Sequence, residues 1–194
     1  MRLVLASASP RRRELLGLLG LDFEVVPSGV AELTEGDPPV IVVENALRKA
    51  RAIARPDALV LGVDTDVVCD GRLLGKPVDD GDATARLRAL SGRTHEVLGG
   101  IALIAGGRER SQLVRTAVAF RELDDREIES YVASGEWRDR AGGYAVQGLG
   151  SSLVERIDGD LSNVIGLPLW TLAEMLQAFD IPLWGRSSSL ASPE

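Results

Sequence analysis

Near its start the chain reads Leu3-Val4-Leu5-Ala6-Ser7-Ala8-Ser9-Pro10-Arg11-Arg12-Arg13, and this stretch constrains the fold more than any other. The apolar run from Leu3 to Leu5 reads as a buried strand ending in small polar residues. Pro10 then opens a helical pattern carried by Leu15, Leu16, Leu18 and Leu19 and closed by Gly20. Proline is tolerated at the first helical position, where its missing N–H would be unpaired anyway, and Ser9 stands where an N-cap belongs. A strand feeding directly into a helix is an α/β unit. The helix N-terminus offers free N–H groups, the positive end of a dipole and guanidinium forks, a combination that favours an anion such as phosphate. Arginine is slightly unfavourable there by itself, so an ordinary capped helix accounts poorly for Arg11, Arg12 and Arg13.

The remaining chain alternates strand and helix signals. Phe23 to Val26 reads as a short strand, and Glu35 to Pro39 as a loop. Val40 to Arg55 reads as a long amphipathic helix, with Val43, Ala46, Leu47, Ala50, Ile53 and Ala54 on its apolar face. Ala58 to Val63 is a continuous apolar strand ending at Asp64, and Val67 to Cys69 pairs with Leu73-Leu74 across Asp70-Gly71. Asp82 to Leu90 is a helix stopped by Ser91-Gly92. Glu96 to Ala105 and Ser111 to Phe120 form a hairpin about Gly106-Gly107. Asp124 or Asp125 caps a helix through Val132, ended by Gly135. Residues 136–151 read as a functional loop, Ser152 to Ile157 as a strand and Leu169 to Phe179 as a last helix. This order predicts an α/β fold with a long mixed, partly antiparallel sheet flanked by helices. One domain is expected over residues 1–183, with a disordered tail over 184–194.

A net charge of −7 argues against nucleic acid or an anionic membrane as partner, so the arginine cluster is a local anion site. No apolar segment reaches the ~18 residues of a membrane span. The single cysteine, Cys69, sits in an apolar run and reads as a buried thiol, which predicts a reducing, cytoplasmic setting.

Several residues have the chemistry of a site. Asp64-Thr65-Asp66 follows a buried strand, where an acid can hold a divalent cation or deprotonate water. Lys76, between Gly75 and Pro77, is a rigidly presented ammonium. Asn45 and Lys49 share one polar helix face, and Glu44 and Arg48 form an i,i+4 pair on the next. His95 is the only histidine, which excludes a histidine-based zinc site. The segment Ala141-Gly142-Gly143-Tyr144-Ala145-Val146-Gln147-Gly148 combines close backbone approach, a ring and an amide, a set suited to a planar base. P-loop and dinucleotide-binding glycine motifs are missing.

Taken in order, Ala6 to Arg12, Glu44-Asn45-Ala46 with Lys49-Ala50, Asp64-Thr65, Gly75-Lys76-Pro77, Ser91 to Val97, Ala141 to Gly148 and Asn163 to Pro168 resemble the Maf family of nucleoside triphosphate pyrophosphatases. The resemblance implies an inosine triphosphatase-like fold, with two lobes about a central cleft and commonly a homodimer. It implies hydrolysis of a nucleoside triphosphate between the α and β phosphates, with Mg²⁺ or Mn²⁺. Asp64 matches the family's proton acceptor; Arg11, Arg12, Lys49 and Lys76 match its phosphate-binding cations, and Ser7 and Ser9 its N-terminal hydroxyls. Glu32 aligns with an acidic residue associated with metal, alongside Asp64. Arg11, Thr65 and Gln147 resemble the set of the dTTP/UTP-preferring branch. The chain departs from the family at Asp66, usually aliphatic, at Arg140, commonly lysine, and at Gly99, usually threonine.

Two other readings compete. Asp64-Thr65-Asp66-Val67-Val68 also resembles the aspartyl-phosphate phosphatases of the haloacid dehalogenase class, with Asp64 as nucleophile, although that strand normally opens the chain rather than coming third. The other is a non-catalytic nucleotide-binding regulator of cell division, against which the retained Asp64 and cations count.

Overall fold

The computed structural model describes residues 1–181 and 183, so the expected tail over 184–194 lies outside the described residues. The chain runs β1 (Arg2–Leu5), α1 (Pro10–Gly17), β2 (Phe23–Val25), α2 (Pro38–Ala52), β3 (Ala58–Cys69) and β4 (Arg72–Leu73). It continues α3 (Asp80–Leu90), β5 (Thr94–Ala105), β6 (Arg108–Phe120), α4 (Asp125–Ser134), β7 (Val154–Asp158), α5 (Leu161–Ile165) and α6 (Leu169–Gln177). The strands form one seven-stranded sheet in the order β2-β1-β3-β5-β6-β7, with β4 paired to β3. β1 is parallel to β2 and β3, and every other pairing is antiparallel. The mixed α/β architecture is the one the sequence predicts.

The central strand differs from expectation in an instructive way. β3 does not end at Asp64; it continues to Cys69, with Asp64, Thr65 and Asp66 paired to Gly100, Gly99 and Leu98 of β5. Polar side chains do not terminate a strand whose backbone groups are all met by a neighbour. The turn that follows, with φ of 50° at Asp70 and 72° at Gly71, is the expected hairpin.

Helix α2 lies directly against the sheet. A Cβ on Gly62 of β3 would stand 2.0 Å from the Ala46 carbonyl oxygen, and one on Gly100 of β5 would stand 1.9 Å from that of Val42. The two glycines therefore let the helix backbone touch the strands. Ala46 and Ala50 complete the seam with Val4, Val60, Ala102 and Ile104.

The other face of the sheet carries two larger cores. One gathers Leu3, Leu5, Leu16, Leu59, Leu61, Val63, Ile101 and Leu103 beneath α1 and α6. The second gathers Val67, Cys69, Leu87, Leu90, Val97, Phe120, Ile128 and Trp137 beneath α3 and α4. Burying each such side chain stabilises the fold by about 1.5–3 kcal/mol before chain entropy is counted.

Local signals explain most helix ends. Asp124 and Glu127 form a capping box at α4, and Gly135 closes that helix in the left-handed conformation. Helix α5 has no counterpart in the sequence reading; the Asp160 side chain creates it by accepting from the amides of Ser162 and Asn163.

Candidate active site

The β1–α1 turn, the loop before α2, mid-β3, the β4–α3 loop and residues 139–147 converge on a cleft of about 760 Å³. Ser7, Ser9, Arg11, Arg12, Glu32, Lys49, Asp64, Thr65, Lys76 and Gln147 all line it.

Asp64 is buried and held through both oxygens. Oδ1 accepts from Lys49 Nζ at 2.7 Å, and Oδ2 accepts from Asn45 Nδ2 at 3.0 Å. The polar face that Asn45 and Lys49 share is thus a buried one, turned by α2 toward the sheet. Lys49 also donates to Glu32 Oε1, bridging the two carboxylates. Burial works to raise the Glu32 carboxyl, but the bond and charge of Lys49, with Lys76 and Arg12 further off, hold it below the usual carboxylate range. Asn45 does one more thing: its Oδ1 accepts from the Leu33 amide at 2.7 Å and its Nδ2 donates to the Leu33 carbonyl at 3.1 Å. That pair pins the loop carrying Glu32 over the cleft. The expected Glu44–Arg48 pair does not form; Glu44 meets Arg51 at 3.5 Å, because Arg51 is drawn toward Glu109 of β6.

At the head of α1, Ser9 occupies the N-cap position but its side chain makes no capping bond. Its own amide donates to Ser7 Oγ at 3.2 Å instead. The helix start stays open, and the amides of Arg11 and Arg12 find no protein acceptor among the described residues. The Arg12 guanidinium donates to the Gly166 carbonyl at 2.9 Å, to Ser7 Oγ at 3.2 Å and to Thr65 Oγ1 at 3.2 Å. All three acceptors are neutral, and among the described residues no carboxylate lies within ion-pair distance of Arg12. Burial disfavours its charge, which Asp64 and Glu32 offset from a distance. Arg11 reaches the Asp139 carbonyl at 3.3 Å, and Lys76 lies exposed, 4.0 Å from the Asp139 carboxylate. Positive charge held by neutral groups around a cleft is a receptor for a polyanion.

Opposite, Gln147 is exposed with no hydrogen-bond partner among the described residues. Tyr144 is buried, and its hydroxyl pairs with His95 Nε2 at 2.8 Å. Phe120 completes an edge-to-face cluster with both rings. Burial pushes the His95 imidazole down to about 4, so it is neutral at physiological pH. His95 thus supports the loop through its bond to Tyr144.

Among the described residues, no group of three His, Cys, Asp or Glu side chains could cage an ion. Glu32 and Asp64, bridged by Lys49, supply two hard oxygen ligands beside a receptor for a polyanion. That set fits Mg²⁺ or Mn²⁺, which are commonly held by one or two carboxylates together with substrate phosphates and water.

The family model described as "Maf-like protein" matches residues 2–179. This chain belongs to the Maf family. The dTTP/UTP pyrophosphatase of Moorella thermoacetica is 52% identical over 191 residues, covering 95% of this chain and 98% of that protein. The dTTP/UTP pyrophosphatase of Syntrophus aciditrophicus is 52% identical over 182 residues, covering 91% and 89%. That of Deinococcus radiodurans is 46% identical over 187 residues, covering 95% and 96%. A solved HAM1 protein from Coxiella burnetii matches with a TM-score of 0.46 and 20% identity over 62% of this chain and 73% of that one.

Three cleft residues of this Maf chain have contacts that the sequence did not assign them. Asn45 had a usable signal, since it lies one helical turn from Lys49 on the same face. Asp139 had none, because its carbonyl and carboxylate meet Arg11 and Lys76 only through tertiary folding. Asp66, set apart in the sequence as a departure from the family pattern, is half-buried, and its Oδ1 accepts from the amides of Val67 and Gly75.

Proposed function

We propose that this chain hydrolyses dTTP and UTP, and modified pyrimidine triphosphates of the same shape, to the monophosphate and pyrophosphate. The observation that carries the reading is the pairing of one buried, doubly bonded carboxylate, Asp64, with two guanidinium groups, Arg11 and Arg12, that have only neutral partners among the described residues of the same cleft. Asp64 takes the proton of a water whose oxygen attacks the α-phosphorus. The α–β bridging bond breaks, and pyrophosphate leaves with its charge met by Arg11, Arg12, Lys76 and the open amides of α1. Ser7 keeps its hydroxyl proton free for a phosphate oxygen, since its Oγ already accepts twice. Lys49 holds Asp64 and Glu32 in place, and Thr65 orients the Arg12 guanidinium. Glu32 and Asp64 would hold the divalent cation, which supplies charge neutralisation at the phosphates. Gln147 presents an amide to the base edge.

The same reading makes residues 1–183 one catalytic unit with lobes on either side of the cleft, acting as a homodimer in the cytoplasm. Among the described residues, no helix is long and apolar enough to cross a membrane. The nucleophilic-aspartate alternative is disfavoured by geometry: Asp64 lies mid-strand, paired with β5, rather than exposed at the end of a parallel strand. Product analysis on dTTP decides the matter. Metal-dependent release of pyrophosphate, lost by about 10²–10⁴-fold in Asp64→Asn, is expected. Orthophosphate release, or equal turnover by both proteins, would refute the reading.

A further inference from the structure

Gly75 is where three parts of the cleft meet. Along the β3–β4 hairpin the last backbone rung runs from the Leu74 amide to the Val67 carbonyl at 2.8 Å. The next rung cannot form, because Gly75, at φ 59°, turns the chain away from β3. That departure strands two backbone donors, the amides of Val67 and Gly75. One oxygen takes both: Asp66 Oδ1 accepts from Val67 at 2.7 Å and from Gly75 at 2.9 Å. The Gly75 carbonyl is fixed from the other side, accepting from the Gly142 amide at 2.8 Å and from the Arg86 guanidinium. Arg86 is itself held by Asp82 through paired bonds at 2.9 and 2.8 Å. The next residue is Lys76, whose ammonium is exposed in the cleft.

We propose that Asp66 is a positioning residue for Lys76, its Oδ1 clamping the Gly75 peptide so that the ammonium is presented to the phosphates and kept in register with the 141–147 loop. Two features favour this over a direct contact with substrate or metal. The oxygen that acts is already turned to backbone donors, and what those donors need is an acceptor, not a charge. An aliphatic side chain at this position would leave both amides without that acceptor and the Lys76 loop free to drift.

The inference rests on the proposed pyrophosphatase activity, and the test separates the two. Asp66→Val, a strand-compatible change, is expected to lower kcat/KM for dTTP about tenfold. Asp66→Asn keeps an acceptor oxygen and is expected to stay within about threefold of wild type. In a Lys76→Ala background, Asp66→Val should cost less than about twofold more, because the residue it acts through is gone. Amide exchange at Gly75 should quicken about tenfold in Asp66→Val and hardly at all in Asp66→Asn. An Asn variant as impaired as the Val variant, or a Val penalty of the same size in both backgrounds, overturns the proposal. Were wild type to release no pyrophosphate, the functional reading alone would fall, and Gly75 exchange would still decide the clamp.

Discussion

Replacing Gly100 by alanine tests how the site is built more sharply than removing any charged group. The new Cβ would stand 1.9 Å from the Val42 carbonyl oxygen, and real Cβ atoms do not approach closer than about 3.0 Å. The obstruction is helix backbone, which cannot rotate aside, so α2 must retreat by about 1.1 Å. Asn45 and Lys49 ride on α2, whereas Asp64 sits on β3. The 2.7 Å bond from Lys49 to Asp64 would then stretch to nearly 4 Å, outside hydrogen-bond range. Overpacking of this kind costs about 1–3 kcal/mol of stability. A misplacement of about 1 Å in a catalytic constellation lowers activity by about 10²-fold. Urea unfolding at pH 7 and kcat/KM for dTTP measure the two effects. Gly17→Ala is the control: nothing lies within 4 Å of its Cβ and the change favours helix, so stability should hold or rise. Retention of activity within twofold by Gly100→Ala, with an unchanged unfolding midpoint, would show that α2 is not seated by the glycine seam.

Other substitutions probe the remaining parts. Arg12→Ala should lower kcat/KM on every nucleotide by at least tenfold, read on a panel of triphosphates. Arg11→Ala should also change the ranking of bases, because Arg11 reaches the 139–147 loop. Equal losses for both variants on every substrate would refute that division. Asn45→Ala removes the pin between Leu33 and Asp64, so proteolysis within residues 26–34 should quicken along with a fall in turnover. His95 makes stability depend on pH. As pH falls through 6.5 the unfolded chain takes up the proton, while the folded imidazole stays neutral to about 4. The stability His95 contributes above 6.5 is therefore lost between 6.5 and 4, by as much as roughly 3 kcal/mol. His95→Gln should flatten that stretch of a urea-midpoint profile, and parallel profiles would count against it.

Much of the fold is legible in the sequence because most elements carry their own local signals. Pro10, the Asp70-Gly71 turn and the Asp124–Gly135 bracket each mark a boundary with a side chain or a backbone conformation. The failures share a cause. The continuation of β3 past Asp64 depends on β5, the burial of Asn45 and Lys49 depends on the glycines of other elements, and the diversion of Glu44 to Arg51 depends on Glu109. Each is a tertiary decision between residues far apart in the chain. The cleft was legible residue by residue as a list of chemistries, but Ser9 illustrates the limit. Its cap position could be read, while the absence of a capping bond, which leaves the helix start open for an anion, could not.

β3 and β5 each cross both large cores, with Leu59, Leu61 and Val63 in one and Val67 and Cys69 in the other. Neither core can melt while these strands remain paired, so heat or denaturant should unfold the described chain in one cooperative step. The site divides along the same line. The amides around Asp64 should exchange only through global unfolding, on the slowest timescale the molecule has. Lys76 and Gln147 lie exposed at the mouth of the cleft, on segments outside that paired core. A nucleotide would thus meet a carboxylate fixed by the whole fold, with recognition groups held at the rim of the cleft by local bonds alone.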